Sequence, residues 1–241
     1  MIKINNLSKT YRTGFWRTKF IGLKDYSVNI KSGELHGIVG SNGAGKTTLI
    51  KMLTGIATPN TGDILINDVS IKQTTSRKKI GYMPESPYIY EFMKGKDYLY
   101  FMGELSGIEP SIAKTKVSAI LDLVGLSHAA NIEIKKYSQG MRQRILLAQS
   151  LLHDPQIIVL DEPMSGLDPR GRHELRSLIK NLNDSGKTIL FSTHILSDVE
   201  ALCSHIQIIE KGKLKWFGKT EELFSSQKSV HEIEDIIYGR V

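Results

Sequence analysis

Short apolar runs, each bounded by glycine, proline or polar residues, recur along the chain and predict strands. These strands are predicted at 2–4, 26–30, 35–39, 62–66, 80–83, 156–160, 188–191 and 206–209. Apolar residues at helical spacing predict helices over 47–53 and around Leu175, Leu178, Ile179 and Leu182. The alternation of strands and helices favours an α/β fold whose largely parallel sheet is covered on both faces.

The stretch 86–152 differs from the rest because its apolar residues follow a helical period. They include Ile112, Val117, Ile120, Leu121 and Val124, followed by an apolar set from Arg142 to Leu152. We therefore predict that 86–152 is a helical insertion between two parts of the sheet. The tail 225–241 is compatible with a small helix or with a frayed end.

Composition narrows the class of protein. Of the 241 residues, 40% are hydrophobic and 24% are charged, as in ordinary globular proteins. The sequence contains no apolar stretch of bilayer length and no apolar signal segment at its start. Cys203 is the only cysteine, which excludes a disulfide scaffold and a cysteine-rich metal site. These absences predict a cytoplasmic protein.

The net charge of +7 is unevenly distributed. The first 24 residues contain no acid and six cations: Lys3, Lys9, Arg12, Arg17, Lys19 and Lys24. Such a segment can bind nucleic acid, an anionic membrane surface or nucleotide phosphates, or can form a solvated face without a partner. No RNA- or DNA-binding signature accompanies the charge, so nucleic acid is not expected as a partner.

One segment fits the phosphate-loop pattern G-x-x-x-x-G-K-[ST] and joins a predicted strand to a predicted helix: Gly40-Ser41-Asn42-Gly43-Ala44-Gly45-Lys46-Thr47. Glycines allow a sharp turn that points backbone N–H groups inward, and the helix start adds positive potential. Lys46 can reach the outer phosphates of a nucleotide, and the Thr47 hydroxyl can bind Mg²⁺. A glycine-rich turn without function is the weaker interpretation, because a strand and a helix flank the loop.

Two acids, Asp161 and Glu162, end the predicted strand 156–160. Carboxylates at a strand end are costly unless they are solvated or used. In a phosphate-loop protein the first suits Mg²⁺, and the second can act as general base towards the attacking water. An ordinary acidic turn is the alternative, and the phosphate loop makes it the less favoured one.

His194 follows another predicted strand, 188–191. Parallel strands deliver their carboxyl ends to one edge of the sheet, where ligands bind. Gly40, Asp161 and His194 can therefore converge, and His194 can donate a hydrogen bond to the γ-phosphate or orient the water. A lone histidine is more often structural, but its position after a strand favours function.

Together these segments resemble the ATPase domain of ABC transporters over about residues 1 to 220. The resemblance implies a signature segment at 137–141, in which Ser138, Gln139 and Gly140 contact the ATP of a partner subunit, and a D-loop ending at Asp168. It also implies catalytic roles for Lys46, Glu162 and the switch histidine His194. The ATP-binding residues that it implies are Tyr11, which would stack on adenine, Gly40, Ser41, Asn42, Gly43, Ala44, Gly45, Lys46, Thr47 and Thr48.

Two departures from the family pattern stand out. Tyr137, Gln139 and Met141 replace the common leucine, glycine and glutamine of the signature, so that Ser138 and Gly140 remain as the retained contacts. Glu85 stands where the family has a glutamine. A carboxylate there could bind Mg²⁺ together with Thr47 and Asp161, and would add negative charge near the γ-phosphate.

The resemblance also implies the architecture of the chain. A P-loop NTPase core with a mostly parallel sheet and a small antiparallel β-subdomain would comprise 1–85 and 153–220. The helical subdomain would be 86–152 and the C-terminal tail 221–241, all within a single ABC ATPase domain. Two such subunits would pair head to tail, with each ATP between the phosphate loop of one and the signature of the other.

By this resemblance, the chain is an ATPase that uses ATP and Mg²⁺ to power translocation by a separate membrane-spanning permease. It would work with a second ATPase subunit, a copy or a relative, on the cytoplasmic face of the membrane. Glu85 in a single-domain chain is similar to ATPase subunits of bacterial exporters for drugs, peptides, lipids or ions. Two alternatives stay open: a soluble ABC ATPase that acts on ribosomes or nucleic acid, and a nucleotide-gated module without useful catalysis.

An aromatic-rich segment follows the predicted strand 80–83. Residues 88–101 contain six of the eighteen aromatic residues: Tyr88, Tyr90, Phe92, Tyr98, Tyr100 and Phe101. Core packing explains some of them, and the rest could form a groove for a helix of the permease, which the family receives in this region. We predict a mixed role, which requires that some of the six be exposed.

Overall fold

Ten strands and eight helices form the part of the chain that the computed structural model describes, residues 1–13, 18–86 and 88–224. The strands are β1 (Ile2–Thr13), β2 (Thr18–Ile30), β3 (Leu35–Val39), β4 (Thr61–Ile66), β5 (Val69–Ser70), β6 (Ile80–Met83), β7 (Ile157–Leu160), β8 (Thr188–Thr193), β9 (His205–Glu210) and β10 (Lys213–Lys219). The helices are α1 (Lys46–Leu53), α2 (Thr74–Arg77), α3 (Gly95–Leu105), α4 (Pro110–Leu123), α5 (Gln139–Leu151), α6 (Pro169–Asp184), α7 (Leu196–Leu202) and α8 (Thr220–Phe224). Arg17 and the predicted tail segment 225–241 lie outside the described residues.

The larger sheet has the strand order β10-β9-β3-β8-β7-β6. All neighbours pair in parallel except β9 and β10, which form an antiparallel hairpin at the edge. Every residue of β3, β7 and β8 is buried, as expected for strands that are covered on both faces. The predicted α/β fold with a mostly parallel sheet is confirmed.

The smaller sheet is antiparallel, with the order β2-β1-β4-β5. Its long hairpin β1–β2 extends well beyond the predicted strands 2–4 and 26–30, so those two predictions were too short. The added residues are largely exposed and polar, and the pairing shifts register between Ile4 and Leu7 and again near Lys9. Such strands lack the apolar run or strict alternation on which the prediction relied.

Helices fill the segment between β6 and β7. It contains α3, α4, α5 and two 3₁₀ turns at Ser127–Ala129 and Ile134–Lys136, and within its described residues an isolated bridge joins Lys94 to Glu133. The helical character of this segment agrees with the sequence pattern, whereas its separation as a subdomain at 86–152 stays a prediction.

Two hydrophobic clusters cover the faces of the larger sheet. One packs α3 to α7 around Phe191 and Tyr98, and the other packs α1 and the antiparallel sheet around Ile38 and Tyr26. The carboxyl ends of β3, β7 and β8 are left for the loops that contain the predicted site residues. No helix of the described residues combines the length and apolar character that a bilayer crossing requires.

Candidate nucleotide site

The phosphate loop connects β3 to α1, and two of its glycines are required by close backbone contacts. A side chain at Gly40 would collide with the carbonyl oxygen of Ile209, and one at Gly45 with that of Gly22. Gly45 also has φ of 116°, which disfavours any residue with a side chain. The loop therefore packs tightly against the backbone of Ile209 and Gly22.

The turn between β9 and β10 supports the loop from behind. The N–H of Gly212 donates to the carbonyl oxygen of Ala44 at 2.8 Å, and the N–H of Lys24 donates to that of Gly212 at 2.7 Å. Gly212 itself has φ of 77°. The backbone of this turn, itself bonded to β2, thus fixes the position of the phosphate loop.

Helix α1 begins at the loop without competition for its first N–H groups. Its N-cap, Gly45, offers no side-chain acceptor, and the first turn contains no acid. Uncapped N–H groups at a helix start form a site of positive potential for an anion. Lys46 adds its charge there, with Nζ donating to the carbonyl oxygen of Gly40 at 2.7 Å.

A cavity of about 280 Å³ lies in front of this loop. It is lined by Phe20, Ser41, Asn42, Gly43, Gly45, Lys46, Thr47, Thr48, Glu85 and Glu162. Gly40 and Ala44, also predicted to bind ATP, are buried behind the lining. Most of the predicted phosphate-binding residues thus share one cavity.

Tyr11 does not line that cavity, although the sequence predicts that it stacks on adenine. Its ring lies close to Gly22 and Thr48, where a side chain at position 22 would meet it at 2.8 Å. Its cross-strand partner Phe20 lines the cavity instead, with 49% of its surface exposed. Sequence reasoning missed Phe20, because only the register of β1 and β2 brings it beside the phosphate loop.

Glu162 lies between two cationic or polar partners. Its Oε1 is 3.2 Å from Nζ of Lys46, and its Oε2 is 3.0 Å from Nδ1 of His194. The backbone at Glu162 has φ of 48°, a conformation that residues with side chains rarely adopt. This conformation directs a buried carboxylate towards the phosphate loop, with the half-exposed imidazole on its other side.

Ser192, at the end of β8, holds both acids in position. Its hydroxyl accepts from the N–H of Glu162 at 2.9 Å and donates to Oδ1 of Asp161 at 2.6 Å. The sequence analysis did not single out Ser192, although its place two residues before His194 could have drawn attention to it. It is a positioning residue, since it acts through the two carboxylates.

Asp161 and Thr47 provide oxygen ligands of the kind that Mg²⁺ binds. Burial raises the pKa of Asp161, and the neighbouring charge of Glu162 adds to this, while hydrogen bonds from Ser192 and Thr47 oppose it. A buried carboxylate that is bonded to the hydroxyl of the phosphate loop fits a magnesium site, because both oxygens are hard donors. Thr47 and Asp161 are thus brought together as the sequence predicts.

Glu85, predicted as a third metal ligand, is exposed and lines the same cavity. Neighbouring Tyr82 has its pKa raised to about 12 by burial and by the charges of Asp161 and Glu85. The carboxylates of Glu85 and Asp161 thus lie near the same tyrosine, and metal binding by Glu85 stays a prediction.

A second cavity of about 420 Å³ unites the signature and the D-loop. It shares no lining residue with the phosphate-loop cavity. Its lining comprises Ser138, Gln139, Gly140, Arg144, Gly166, Leu167, Asp168, Arg170, Gly171 and Glu174. The predicted signature contacts and Asp168 thus lie together, but apart from the phosphate loop of the same chain.

Ser138 and Asp168 both have a local structural role. The Ser138 hydroxyl caps α5 by accepting from the N–H of Met141 at 3.2 Å, and Oδ1 of Asp168 caps α6 by accepting from that of Gly171 at 2.9 Å. Tyr137 is buried, and its hydroxyl donates to the carbonyl oxygen of Ala129 at 2.8 Å. The departure at position 137 therefore anchors the start of α5.

The aromatic segment is divided between core and surface. Tyr98 is buried, and Tyr100 and Phe101 are half-buried, whereas Tyr88 and Phe92 are 89% and 80% exposed. Tyr90 packs edge-to-face on Phe101 with the ring centroids 5.5 Å apart. The condition that some of the six be exposed is therefore met.

Comparison with known proteins identifies the family of this chain. Residues 23–165 match the family described as ABC transporter. The chain is 43% identical over 234 residues to an uncharacterized ABC transporter ATP-binding protein of Nostoc sp., covering 96% of this chain and 70% of that protein. It is 33% identical over 227 residues to the linearmycin resistance ATP-binding protein of Bacillus subtilis, covering 93% and 71% of the two chains. Across eight such relatives the chain spans between 63% and 79% of their length.

A solved structure agrees with this match. The dimeric structure of a bacterial ABC transporter cassette superposes with a TM-score of 0.82 at 25% identity, covering 91% of this chain and 99% of that one. ATP-binding chains of this family act with membrane permeases and dimerise. On the domain match, the relatives and the shared fold, this chain belongs to the ABC transporter family, as one of its ATP-binding and ATP-hydrolysing chains.

Proposed function

We propose that this chain powers export of a substrate by a separate membrane-spanning permease, with hydrolysis at the phosphate-loop cavity. The observation that carries the catalytic part is the position of Glu162 between Lys46 and His194, with Asp161 beside it. The export direction is supported by Glu85 and by the name of the linearmycin resistance relative. Drugs, peptides, lipids or ions are the candidate substrates.

Hydrolysis needs a base for the attacking water, and Glu162 fits that role. Glu162 is 8% exposed, and its carboxylate contacts Lys46. A triphosphate offers the ammonium of Lys46 a more highly charged partner, which leaves Oε1 free to accept a proton from water. His194 on the other oxygen would orient the water or contact the γ-phosphate.

Thr47 and Asp161 would hold Mg²⁺, with Glu85 as a further oxygen donor on the cavity wall. When bound, the ion would neutralise charge on the outer phosphates. Ser192 would keep Asp161 aligned through its 2.6 Å hydrogen bond. Within this chain, the loop amides and Lys46 bind and orient the phosphates.

The cavity at Ser138 and Gly140 would serve the ATP of a second subunit, a copy or a relative. Two features support this: the cavity lies apart from the phosphate loop of its own chain, and Ser138 and Gln139 are exposed. ATP between two subunits would favour the closed dimer, and loss of the γ-phosphate would release it.

Glu162→Gln tests the hydrolysis proposal. The amide keeps the shape of the side chain but cannot accept the proton, so we expect turnover to fall by a factor of about 10³ or more. Binding of MgATP should persist, and size-exclusion chromatography with ATP should reveal an accumulated dimer. Ordinary turnover in this variant would refute the role of Glu162 as general base.

The permease would dock at the aromatic surface formed by Tyr88, Tyr90 and Phe92. Large exposed aromatic side chains are unusual on a surface without a partner and are enriched at interfaces. Glu91 pairs with Arg142, four residues from the signature Ser138, so a partner here would contact the start of α5 indirectly. This connection supports coupling between the permease and the second nucleotide.

The docking proposal is tested with the pair Tyr88→Ser and Phe92→Ser. We expect unchanged basal ATPase activity but loss of co-purification with a multi-span membrane protein from solubilised membranes of the source cells. Leu105→Ser is the matched control, since Leu105 is 67% exposed in α3 away from this surface. Retained co-purification, or stimulation of the ATPase by ribosomes or RNA instead, would overturn the proposal.

A further inference from the structure

Three metal-ligating side chains meet at the edge of the larger sheet opposite the nucleotide cavity. Glu34 immediately precedes β3, His36 is the second residue of β3, and His205 is the first residue of the adjacent strand β9. The parallel register places His36 beside His205, and their rings stack with centroids 4.9 Å apart. Neither the catalytic proposal nor the docking proposal uses these residues.

Their spacing is close to that of a tetrahedral metal site. Nε2 of His36 is 2.8 Å from Oε2 of Glu34, and Nε2 of His205 is 3.7 Å from Oε1. Bond lengths of about 2.0–2.1 Å place ligand atoms of a tetrahedral zinc ion about 3.3 Å apart. One ligand atom from each residue lies within 4.8 Å of the other two, so small side-chain movements suffice to enclose an ion.

The surroundings of His205 are compatible with metal binding through Nε2. The Ser204 hydroxyl lies 3.0 Å from Nδ1 of His205 and can accept from Nδ1–H while it donates to the carbonyl oxygen of Leu35 at 3.1 Å. In that tautomer Nε2 of His205 presents a lone pair on the side of Glu34, where a cation would contact both groups.

His36 can also bind an ion through Nε2 if its proton moves to Nδ1, because the buried side-chain amide of Gln207 can rotate to accept it. The side chain of His36 is fully buried. Its Nδ1 contacts the amide of Gln207 at 3.1 Å, and that amide also bonds the hydroxyl of Tyr26. With the amide turned, Nδ1–H donates to the oxygen of Gln207, the outer-shell partner that a metal-binding histidine requires. The NH₂ of Gln207 then donates to the Tyr26 oxygen, so the Tyr26 hydroxyl gives up its present acceptor.

An ordinary hydrogen bond between Glu34 and His36 explains only part of this arrangement. It accounts for one carboxylate oxygen and for the buried ring, but it leaves His205 aimed at the other oxygen. The side chains of Glu34 and His205 are 17% and 20% exposed, so an ion can reach the cluster from solvent. The donor set of two imidazoles and one carboxylate suits zinc better than magnesium or calcium.

We propose that Glu34, His36 and His205 form a binding site for a zinc-type divalent cation that ties β3 to β9. Because β3 leads into the phosphate loop and β9 into the turn that supports it, a bound ion would fix the starts of both strands. The site would be independent of the nucleotide, since no residue is shared with the phosphate-loop cavity.

The test is titration of the chelator-treated full chain with Zn²⁺ in the absence of nucleotide. We expect one equivalent to bind, Mg²⁺ not to compete, and bound Co²⁺ to give the intense visible absorption of four-coordinate sites. His205→Ala and Glu34→Gln should each weaken Zn²⁺ binding at least tenfold. His128→Ala, which removes an exposed imidazole elsewhere, should leave it unchanged.

Several outcomes would overturn the proposal. One is failure of the wild-type chain to bind Zn²⁺, and another is equal affinity in the His205→Ala variant. A third is loss of binding in His194→Ala, which would assign the ion to the catalytic cavity. If Glu34→Gln fails to fold, His205→Ala at the partly exposed rim still decides the question.

Discussion

The phosphate-loop cavity and the signature cavity are built in opposite ways. Lys46, Asp161 and Glu162 are all buried, with 6%, 1% and 8% exposure, and contact one another or shared partners. Ser138 and Asp168 are exposed, and among the described residues their side chains accept hydrogen bonds from the first turns of their own helices. The fold of one chain fixes the side chains of the phosphate-loop cavity, whereas the signature cavity exposes its side chains on the surface of the protein.

This difference indicates which residues act within one chain and which act on a second subunit. Residues of the phosphate-loop cavity have partners within the chain, and those partners explain their geometry. The signature residues have local capping roles that do not require the particular lining of their cavity, which is why we assign their function to a second subunit. Substitutions should therefore separate nucleotide binding from turnover according to the cavity that they affect.

Of the substitutions that test this comparison, Lys46→Ala should have the largest effect, on MgATP affinity. Removal of the ammonium takes away the charge that faces the phosphates, and we expect MgATP affinity to fall by about two orders of magnitude in isothermal titration. Lys51→Ala is the control, because Lys51 is exposed on the same helix. Affinity within a factor of two of the parent would mean that the cavity does not bind phosphate.

Gly140→Ala should separate stability from turnover. A Cβ at this position would have its nearest neighbour, Leu167, at 4.0 Å, so α5 accommodates it and gains about 0.5–1 kcal/mol of helix stability. The same methyl group narrows the signature cavity, and we expect ATPase activity to fall about tenfold while single-chain ATP binding is kept.

Gly103→Ala in α3 is the matched control for this experiment. A Cβ there would also be tolerated, with Ile108 at 3.7 Å, but Gly103 lies outside both cavities. Thermal unfolding and steady-state turnover should be measured on both variants. Equal turnover in the two would argue against a role for the signature cavity.

Substitutions on the hairpin β1–β2 should have the smallest effect. Tyr11→Ala and Phe20→Ala each remove an aromatic ring near the expected position of the base, and we expect about fivefold weaker ATP binding from either. Titration with ATP and with inorganic triphosphate distinguishes a contact to the base from a general effect. If only Phe20→Ala weakens ATP binding, the stacking role predicted for Tyr11 is wrong.

The sequence predicted some elements within a residue and missed others for a physical reason. The strands at 35–39 and 80–83 have the predicted bounds, because both are buried on two faces and end at glycine or proline. Strand β10 was not predicted, although its exposed and half-buried residues alternate, because it lies at the sheet edge and contains no apolar run. Local sequence patterns therefore predict strands that are buried on both faces better than strands at an exposed sheet edge.

The same limit applies to the site. The phosphate loop, Asp161, Glu162 and His194 could be predicted because each follows a recognisable strand. Phe20 could not, since its importance depends on the pairing of β1 with β2. The position of Ser192 before His194 was a hint, but its hydrogen bond to Asp161 joins residues that are distant in sequence. Pairing of strands, rather than any local pattern, brings these residues to the cavity.

The turn at Lys211–Gly212 has a consequence for genetics. Gly212 lines neither cavity, yet its backbone braces the phosphate loop, and a side chain there would press on Leu23 and Gly22 at 3.3–3.4 Å. A screen for variants that lose ATP binding should recover substitutions at this turn as readily as in the loop itself. Mutations that abolish ATP binding would then map to the β9–β10 turn, which lies outside the nucleotide cavity.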